Sequence, residues 1–474
     1  MCGSAGRVGG KDALPMKRLL VIGGGLAGLN AAYQAKRTGA EVRVLEATGR
    51  AGGVVQSHRE SGFLCEMGPN TLLNRDPALH QLLADLGLES EIVEAAPAAR
   101  ERFIVRDGKL VPVPMSAGQF LTTPLLTAAA KLRLLAEPWA RARTTNKPTE
   151  ESLADFARRR LGAEVFTYGL EPFVAGIFAG DPEKMSVRHA FPRLQAMEDE
   201  HGSLARGAIH ALRNRPKSSP ARLISFEEGI GALPRALAAQ LGEALTLNTR
   251  LMSLEKNSTG LWEAAWATPT TQVRQKFEGV TLAVPAHTLS SLSLPVELKM
   301  HLTPLAKIEY PPVSVVLLGY PRPAVRHPLN GFGVLVPAVE KLSILGVLFN
   351  STLFPGRAPV GQVLLTIFIG GARQPELAGL PDDVLAATAI ADLEKLLRVS
   401  GPPVFQKIVR WPQGIPQYHL DHGDMLTAME NTERAWPGLT LAGSYRGGVS
   451  VPQCLATGAA AGLRALNLSP NAAE

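Results

Sequence analysis

Gly23-x-Gly25-x-x-Gly28 is the sharpest chemical pattern in the chain. Each glycine removes a Cβ where a dinucleotide-binding turn has no room for one. Gly23 permits the tight turn, Gly25 lets a pyrophosphate approach the backbone, and Gly28 lets a helix lie close on a strand. Glu46 follows Gly28 by 18 residues, at the end of a second apolar run, where a carboxylate accepts both hydroxyls of a ribose. The same carboxylate would repel a 2′-phosphate. Glu46-x-x-x-Arg50-x-Gly52-Gly53 extends the pattern toward a longer ligand with a diphosphate and a ribityl chain. Gly68-Pro69-Asn70-Thr71 adds small residues and a rigid turn, which let backbone approach a flat ring. Together these point to FAD rather than NAD. His419-x-x-His422 has metal-like spacing, but no third ligand accompanies it, so no metal is predicted. No GxSxG elbow, Walker lysine or paired-carboxylate pattern stands out.

The elements that must hold these residues are legible nearby. Residues 17–22 read as a buried strand, 26–38 as a helix ended by Gly39, and 41–46 as a second strand, forming one βαβ unit. Residues 76–86 read as a helix with Asp76 as N-cap, Pro77 in the first turn and Gly87 as the stop. From about 90 to 215 the pattern is mostly helical. Ser152-x-x-Asp155 opens one helix and Gly162 closes it. Its basic run, Arg158 to Arg160, reads first as a solvated face and second as a contact for a membrane or an acidic ligand. Residues 214–222 look like a linker. Strand patterns occupy 245–285 and 305–370, a helix 382–398, a strand 439–443, and a last helix begins near Pro452. A doubly wound domain that the chain leaves and re-enters explains this alternation.

The chain has 474 residues, 46% of them hydrophobic and 19% charged, which fits a folded protein of several domains. The net charge of +7 is dispersed, as on an ordinary surface, though a basic face for an anionic membrane or an acidic substrate fits as well. No nucleic-acid-reading motif occurs, so that class is excluded. Three scattered cysteines predict a reducing, cytoplasmic setting without disulfides. Residues 1–15 lack the apolar core of a secretory signal and read as a leader, with Met16 an alternative start. No run is long enough to span a membrane. Ala117 to Ala130, interrupted by Pro124 and followed by Lys131, Arg133, Arg141 and Arg143, reads as a buried hairpin or as a surface lying on a bilayer.

Several blocks carry a more particular resemblance: VIGGGLAGLNAAY, LEATGRAGGVVQS, EMGPNTLL, AGIFAGDPEKMSVRHAFP, FGVLVP, TIFIGGARQP, WPQGIPQYHL and GSYRGGVSVPQCLATG. From Met16 onward the chain resembles the protoporphyrinogen/coproporphyrinogen oxidase family of the flavin amine oxidase superfamily. FAGDPEKMS, FIGGARQP and WPQGIPQY are the blocks narrow to that branch. They oppose the alternatives, a carotenoid desaturase or an amine oxidase.

The resemblance implies an α/β fold. A Rossmann-like FAD-binding domain would be built from residues 17–90, 222–290 and 405–474. A helical insertion would span 91–221 and a β-rich substrate domain 291–404. Gly23, Gly25, Gly28, Glu46, Arg50, Gly52 and Gly53 would hold the ADP half, and Leu251 the adenine through its backbone. Gly68, Pro69, Asn70, Thr71, Trp411, Gly443, Val449, Ser450 and Val451 would lie at the flavin. The matching stretch has no cysteine to tether it, so the cofactor is expected to be non-covalent.

The family's reaction removes six electrons from a porphyrinogen, with molecular oxygen as acceptor. Asn70 and Phe368 are the expected residues at the reacting centre. Gly176, Leu335, Leu348 and Phe368 are the expected slot walls. Some relatives carry an arginine where Asn70 stands; Arg75 and Arg446 are weaker candidates for a carboxylate anchor. Peripheral attachment to the inner face of the cell membrane is expected from residues 117–143 and an oily substrate. A homodimer and a monomer both remain open.

Overall fold

RLLVI, the segment Arg18–Ile22, is apolar enough to be covered on both faces, as a central parallel strand must be. It pairs in parallel with Glu41–Leu45 on one side and Gly279–Leu282 on the other. Leu245–Thr246 and Leu439–Leu441 complete a five-stranded parallel sheet at its two edges. The computed structural model describes residues 16–140, 150–214, 222–268 and 271–468. The leader 1–15, Arg141, Arg143 and most of the linker at 214–222 fall outside them. Strand order reverses at Arg18–Ile22, and the crevice beyond the carboxyl ends of such strands is where open α/β sheets take their ligands.

The helix Leu26–Arg37 covers this sheet, and the C-terminal helix Val451–Ala465 lies directly on it. Gly458 and Gly462 set that contact. A Cβ on either would lie 2.1 Å from the Ala27 carbonyl oxygen or 2.5 Å from that of Ala31. Asn30 Nδ2 donates to the Leu455 carbonyl across the seam at 2.8 Å.

The second sheet has seven strands, ordered Phe405–Trp411, Val313–Pro321, Gln362–Gly370, Ile344–Phe349, Gly333–Leu335, Arg102–Arg106 and Lys109–Pro112. One face buries Val316, Leu318, Val347 and Ile367 against Leu385, Ala389 and Leu393 of the helix Asp382–Leu397. Two pieces differ from the segmentation expected from sequence. The hairpin 102–112 comes from the stretch read as mostly helical, and Phe405–Trp411 comes from the stretch assigned to the cofactor domain. Both join through pairing with strands far along the chain, which no local pattern records.

The helical part contains Leu153–Arg160, where the Ser152 hydroxyl accepts from Asp155 N–H at 3.0 Å. Gly162, at φ +94°, ends it. The arginine run there is not the solvated face expected. Arg160 is fully buried and paired with buried Glu137, which also accepts from the Ser203 hydroxyl and the Leu204 N–H. Arg159 lies between Glu151 and Glu198, and Arg158 pairs with Glu183. The sequence at 117–130 forms two short helices, Ala117–Thr122 and Ala128–Leu135, broken at Pro124.

Candidate active site

The glycine loop is built as its spacing requires. Gly23 has φ +108°, and a Cβ there would lie 2.5 Å from the Ala283 carbonyl oxygen. A Cβ on Gly28 would lie 2.0 Å from the Gly23 carbonyl oxygen, so helix and strand meet backbone to backbone. Gly25 instead faces open space, with nothing within 4 Å of a Cβ built there. No side chain caps the helix that starts after it. Its first N–H groups are therefore available to an anion.

Glu46 stands at the loop's rim. Its Oε2 accepts from Gly24 N–H at 2.7 Å, and its Oε1 accepts from Thr48 N–H at 2.8 Å and the Thr48 hydroxyl at 2.7 Å. Gly52 N–H donates to the Gly24 carbonyl at 2.7 Å, which lays the Arg50–Gly53 turn against the glycine loop. Gly52 and Gly53 both have positive φ, and Arg50 donates to the Gly53 carbonyl at 2.8 Å. Leu251 arrives by a less direct route than the sequence pattern implies. The strand pattern that begins at residue 245 is at first only Leu245–Thr246, and Leu251 opens a separate antiparallel sheet. Asn248 and Thr249 N–H donate to the carbonyls of Thr48 and Glu46 at 2.9 and 2.8 Å, and this brings the segment beside Glu46.

Met67 to Thr71 form a pinned loop. Trp411 Nε1 donates to the Met67 carbonyl at 2.8 Å. Asn70 Nδ2 donates to the Gly68 carbonyl at 3.0 Å, and Asn350 Nδ2 donates to Asn70 Oδ1 at 2.9 Å. Asn350 is 2% exposed, and its Oδ1 is buried without a partner. Sequence reading missed Asn350; a lone asparagine at the end of the apolar run SILGVLF was the only local signal.

The last strand, Leu439–Leu441, runs into a glycine-rich turn at the same end of the parallel sheet. Gly443, Gly447 and Gly448 have φ of +153°, +81° and +126°. Ser450 and Gln453 form a reciprocal capping box at the start of Val451–Ala465. Val449 is half-buried against the helical part. Burial pushes the Cys454 thiol up to about 12, so it stays protonated at neutral pH.

The residues expected to wall the slot lie on the face of the seven-stranded sheet turned away from Asp382–Leu397. Phe368 and Leu335 both pair with Gly346, and Leu348 pairs with Thr366, so all three side chains share that face. Leu335 and Leu348 are the only partly exposed residues of their strands, and Phe368 is the only one in the interior of its own. Gly176, on the helix Glu171–Phe178, closes one side: a Cβ there would lie 2.5 Å from Leu335 Cδ2. Phe173 and Ile177 on that helix are exposed beside it. Arg446 is paired with Glu433 and Arg75 is exposed, so neither is a buried, unpaired anchor. His422 is buried and stacks on Tyr418, and burial pushes it down to about 4. Among the described residues no group of three or more His, Cys, Asp or Glu is gathered for a metal.

A glycine loop open to an anion, a carboxylate at its rim, a second glycine-rich turn at the same sheet end and a partly exposed apolar face fit an FAD-dependent oxidoreductase. The chain matches the family described as flavin containing amine oxidoreductase over residues 26–462. It is 34% identical to protoporphyrinogen oxidase 2 of Arabidopsis thaliana, over 94% of this chain and 93% of that protein. It is 28% identical to coproporphyrinogen III oxidase of Bacillus subtilis, over 94% and 97%. A solved Exiguobacterium structure assigned as a protoporphyrinogen oxidase superposes with a TM-score of 0.79 at 27% identity, covering 94% of this chain and 98% of that one. Reduced UDP-galactopyranose mutase shares the fold at a TM-score of 0.72 and 16% identity, over 97% of each chain. The chain belongs to the flavin containing amine oxidoreductase family, in its protoporphyrinogen and coproporphyrinogen oxidase branch. Its cofactor is FAD.

Proposed function

We propose that this chain oxidises protoporphyrinogen IX to protoporphyrin IX, with three molecules of oxygen reduced to peroxide for each six-electron turnover. The observation that carries the reading is the slot. In three adjacent strands, the positions left partly open, apart from the strand-end residue Gln362, are Leu335, Leu348 and Phe368, all on one face. An apolar wall of that kind suits a large, flat, oily macrocycle. Neither Arg75, which is exposed, nor Arg446, which pairs with Glu433, offers a buried, unpaired anchor, which suits the porphyrinogen with fewer carboxylate arms. The relatives near 34% identity also carry the protoporphyrinogen name.

The open face of Gly25, the uncapped helix start and the Glu46 carboxylate fit a dinucleotide. Gly23, Gly25, Gly28, Glu46, Arg50, Gly52 and Gly53 would hold the ADP half of FAD, with Leu251 beside the adenine. Gly68, Pro69, Asn70, Thr71, Trp411, Gly443, Val449, Ser450 and Val451 would border the ring. When bound, FAD supplies a two-electron hydride acceptor that oxygen re-oxidises. Phe368, Leu348, Leu335 and Gly176 hold the macrocycle flat and exclude water. Asn70, fixed by Asn350, would lie at the reacting centre. The N-terminus of Val451–Ala465 adds positive potential to the turn that precedes it. We take the cofactor to be non-covalent, so denaturation should release all the flavin.

The segments 17–90, 222–290 and 405–474 form the cofactor-binding part of this reading, although Phe405–Trp411 also pairs as an edge strand of the seven-stranded sheet. We also assign the chain to the cytoplasmic face of a membrane. No helix among the described residues is long and apolar enough to cross one. Met115, Leu121, Leu132, Leu135 and Trp139 are exposed beside Lys131 and Arg133, as an interfacial surface requires.

Purified protein reconstituted with FAD should generate porphyrin fluorescence from protoporphyrinogen IX in air, faster than from coproporphyrinogen III. Fluorescence from neither substrate, with turnover of an amine or a carotene, would end the reading.

A further inference from the structure

Two of the sequence blocks, FAGDPEKMS and WPQGIPQYHL, are bonded to each other. Gln417 Nε2 donates to the Phe178 carbonyl at 2.9 Å. Ser186 N–H donates to the Tyr418 carbonyl at 2.8 Å, and Leu420 N–H to the Lys184 carbonyl at 3.1 Å. Met185 and His419 pair as an isolated antiparallel bridge. The helical part and the segment 417–420 therefore form one strap.

The strap ends on the glycine-rich turn. The Tyr418 hydroxyl donates to the Ser444 carbonyl and accepts from Gly448 N–H at 2.9 Å. One oxygen thus closes both ends of the turn 444–448. Tyr418 is 2% exposed, stacked on His422 with ring centroids 4.2 Å apart and edge-on to Phe178 at 6.1 Å. Gly447 and Gly448 give this turn wide backbone freedom, and the clamp removes it. Val449, Ser450 and the start of the C-terminal helix come immediately after the clamped turn.

We propose that Tyr418 is a positioning residue for the flavin, setting the course of the backbone from Val449 to Val451 and fastening the turn to the helix that carries Gly176. The inference rests on the proposed placement of FAD against Val449, Ser450 and Val451.

Tyr418→Phe removes the oxygen and keeps both ring contacts. Apoprotein of this variant should bind FAD about tenfold more weakly than wild type, the loss expected for one buried hydroxyl with two partners. The visible circular dichroism of the bound flavin should also change. Tyr320→Phe removes a buried hydroxyl without a partner, in the seven-stranded sheet, and should leave both readouts unchanged. If Tyr418→Phe does not fold, Gln417→Met carries the test, since it cuts the strap one residue earlier and should change the same spectrum. Wild-type FAD affinity and spectrum in Tyr418→Phe, or a lowered melting temperature alone, would overturn the proposal. A wild-type chain that takes up no FAD would remove the cofactor placement and this proposal with it.

Discussion

Gly176 matters for what it lacks. A side chain there would enter the space beside Leu335 rather than the protein core, since the residue is exposed on its helix. Gly176→Val should lower kcat/KM for protoporphyrinogen by about tenfold or more, from an overpacking cost of about 1–3 kcal/mol, with FAD binding kept. Steady-state rates and a flavin titration separate the two effects. Glu66 is a different case. It is buried where the hairpin Ser57–Glu66, the segment at Ile230 and Arg357 meet. It accepts from Ile230 N–H at 3.0 Å and from the Ser57 hydroxyl, with Arg357 at 3.9 Å. Burial outweighs these partners and pushes its carboxyl up from 4.5 to about 7. The folded value lies above the unfolded one, so this group supports the fold below about pH 4.5 and withdraws that support as pH climbs through about 7, a swing of about 3 kcal/mol. Urea unfolding across that window should show wild type losing stability relative to Glu66→Gln. The glycine fingerprint and Glu46 were legible because their chemistry is written in local spacing. Glu66 with Arg357 and Asn70 with Asn350 were not, because each pairs across a long stretch of chain, and Arg160 with Glu137 was not, because the pair joins two separate helical elements.

At the scale of elements, the C-terminal helix is the sensitive part. Gly458→Val would drive a branched side chain into the Ala27 backbone, which a far-end rotamer change does not relieve. The expected cost is about 3 kcal/mol or more, visible as a lower melting temperature and weaker FAD retention. The helix itself was readable from its proline and glycine-rich approach. Its contact face was not, because four-residue spacing of small residues says nothing of what they touch. Caps were the most reliable local sign: Asp76 accepts from Ala78 N–H at 3.0 Å and Ser152 from Asp155 N–H at 3.0 Å, each at its expected helix start. The seven-stranded sheet was only half visible. Its continuous apolar strands announced themselves, while the hairpin 102–112 and the edge strand Phe405–Trp411 carry charges on their open sides and gain strand identity from their neighbours.

For the whole molecule, the exposed apolar surface of the helical part carries a test of its own. Trp139 is 80% exposed, with Leu132 and Leu135 beside it on the preceding turns. Vesicles containing anionic lipid should sediment the wild-type protein, and a Leu132→Ser, Leu135→Ser, Trp139→Ser triple variant should stay in the supernatant with its FAD bound. Loss of apolar burial at about 25 cal/mol per Å² accounts for the direction. Doubly wound architecture was recoverable from the alternation of patterns, but the pairing of distant segments was not. That pairing has a consequence for synthesis. The strand Arg18–Ile22 and the helix after it leave the ribosome long before their partners. Their sheet awaits Gly279–Leu282 and Leu439–Leu441, and their helix awaits Val451–Ala465. A nascent chain must therefore carry an uncovered oily helix until Val451–Ala465 has emerged, and it is open to aggregation for that interval. A premature stop just ahead of Val451 would spare most of the mass and still abolish the holoenzyme.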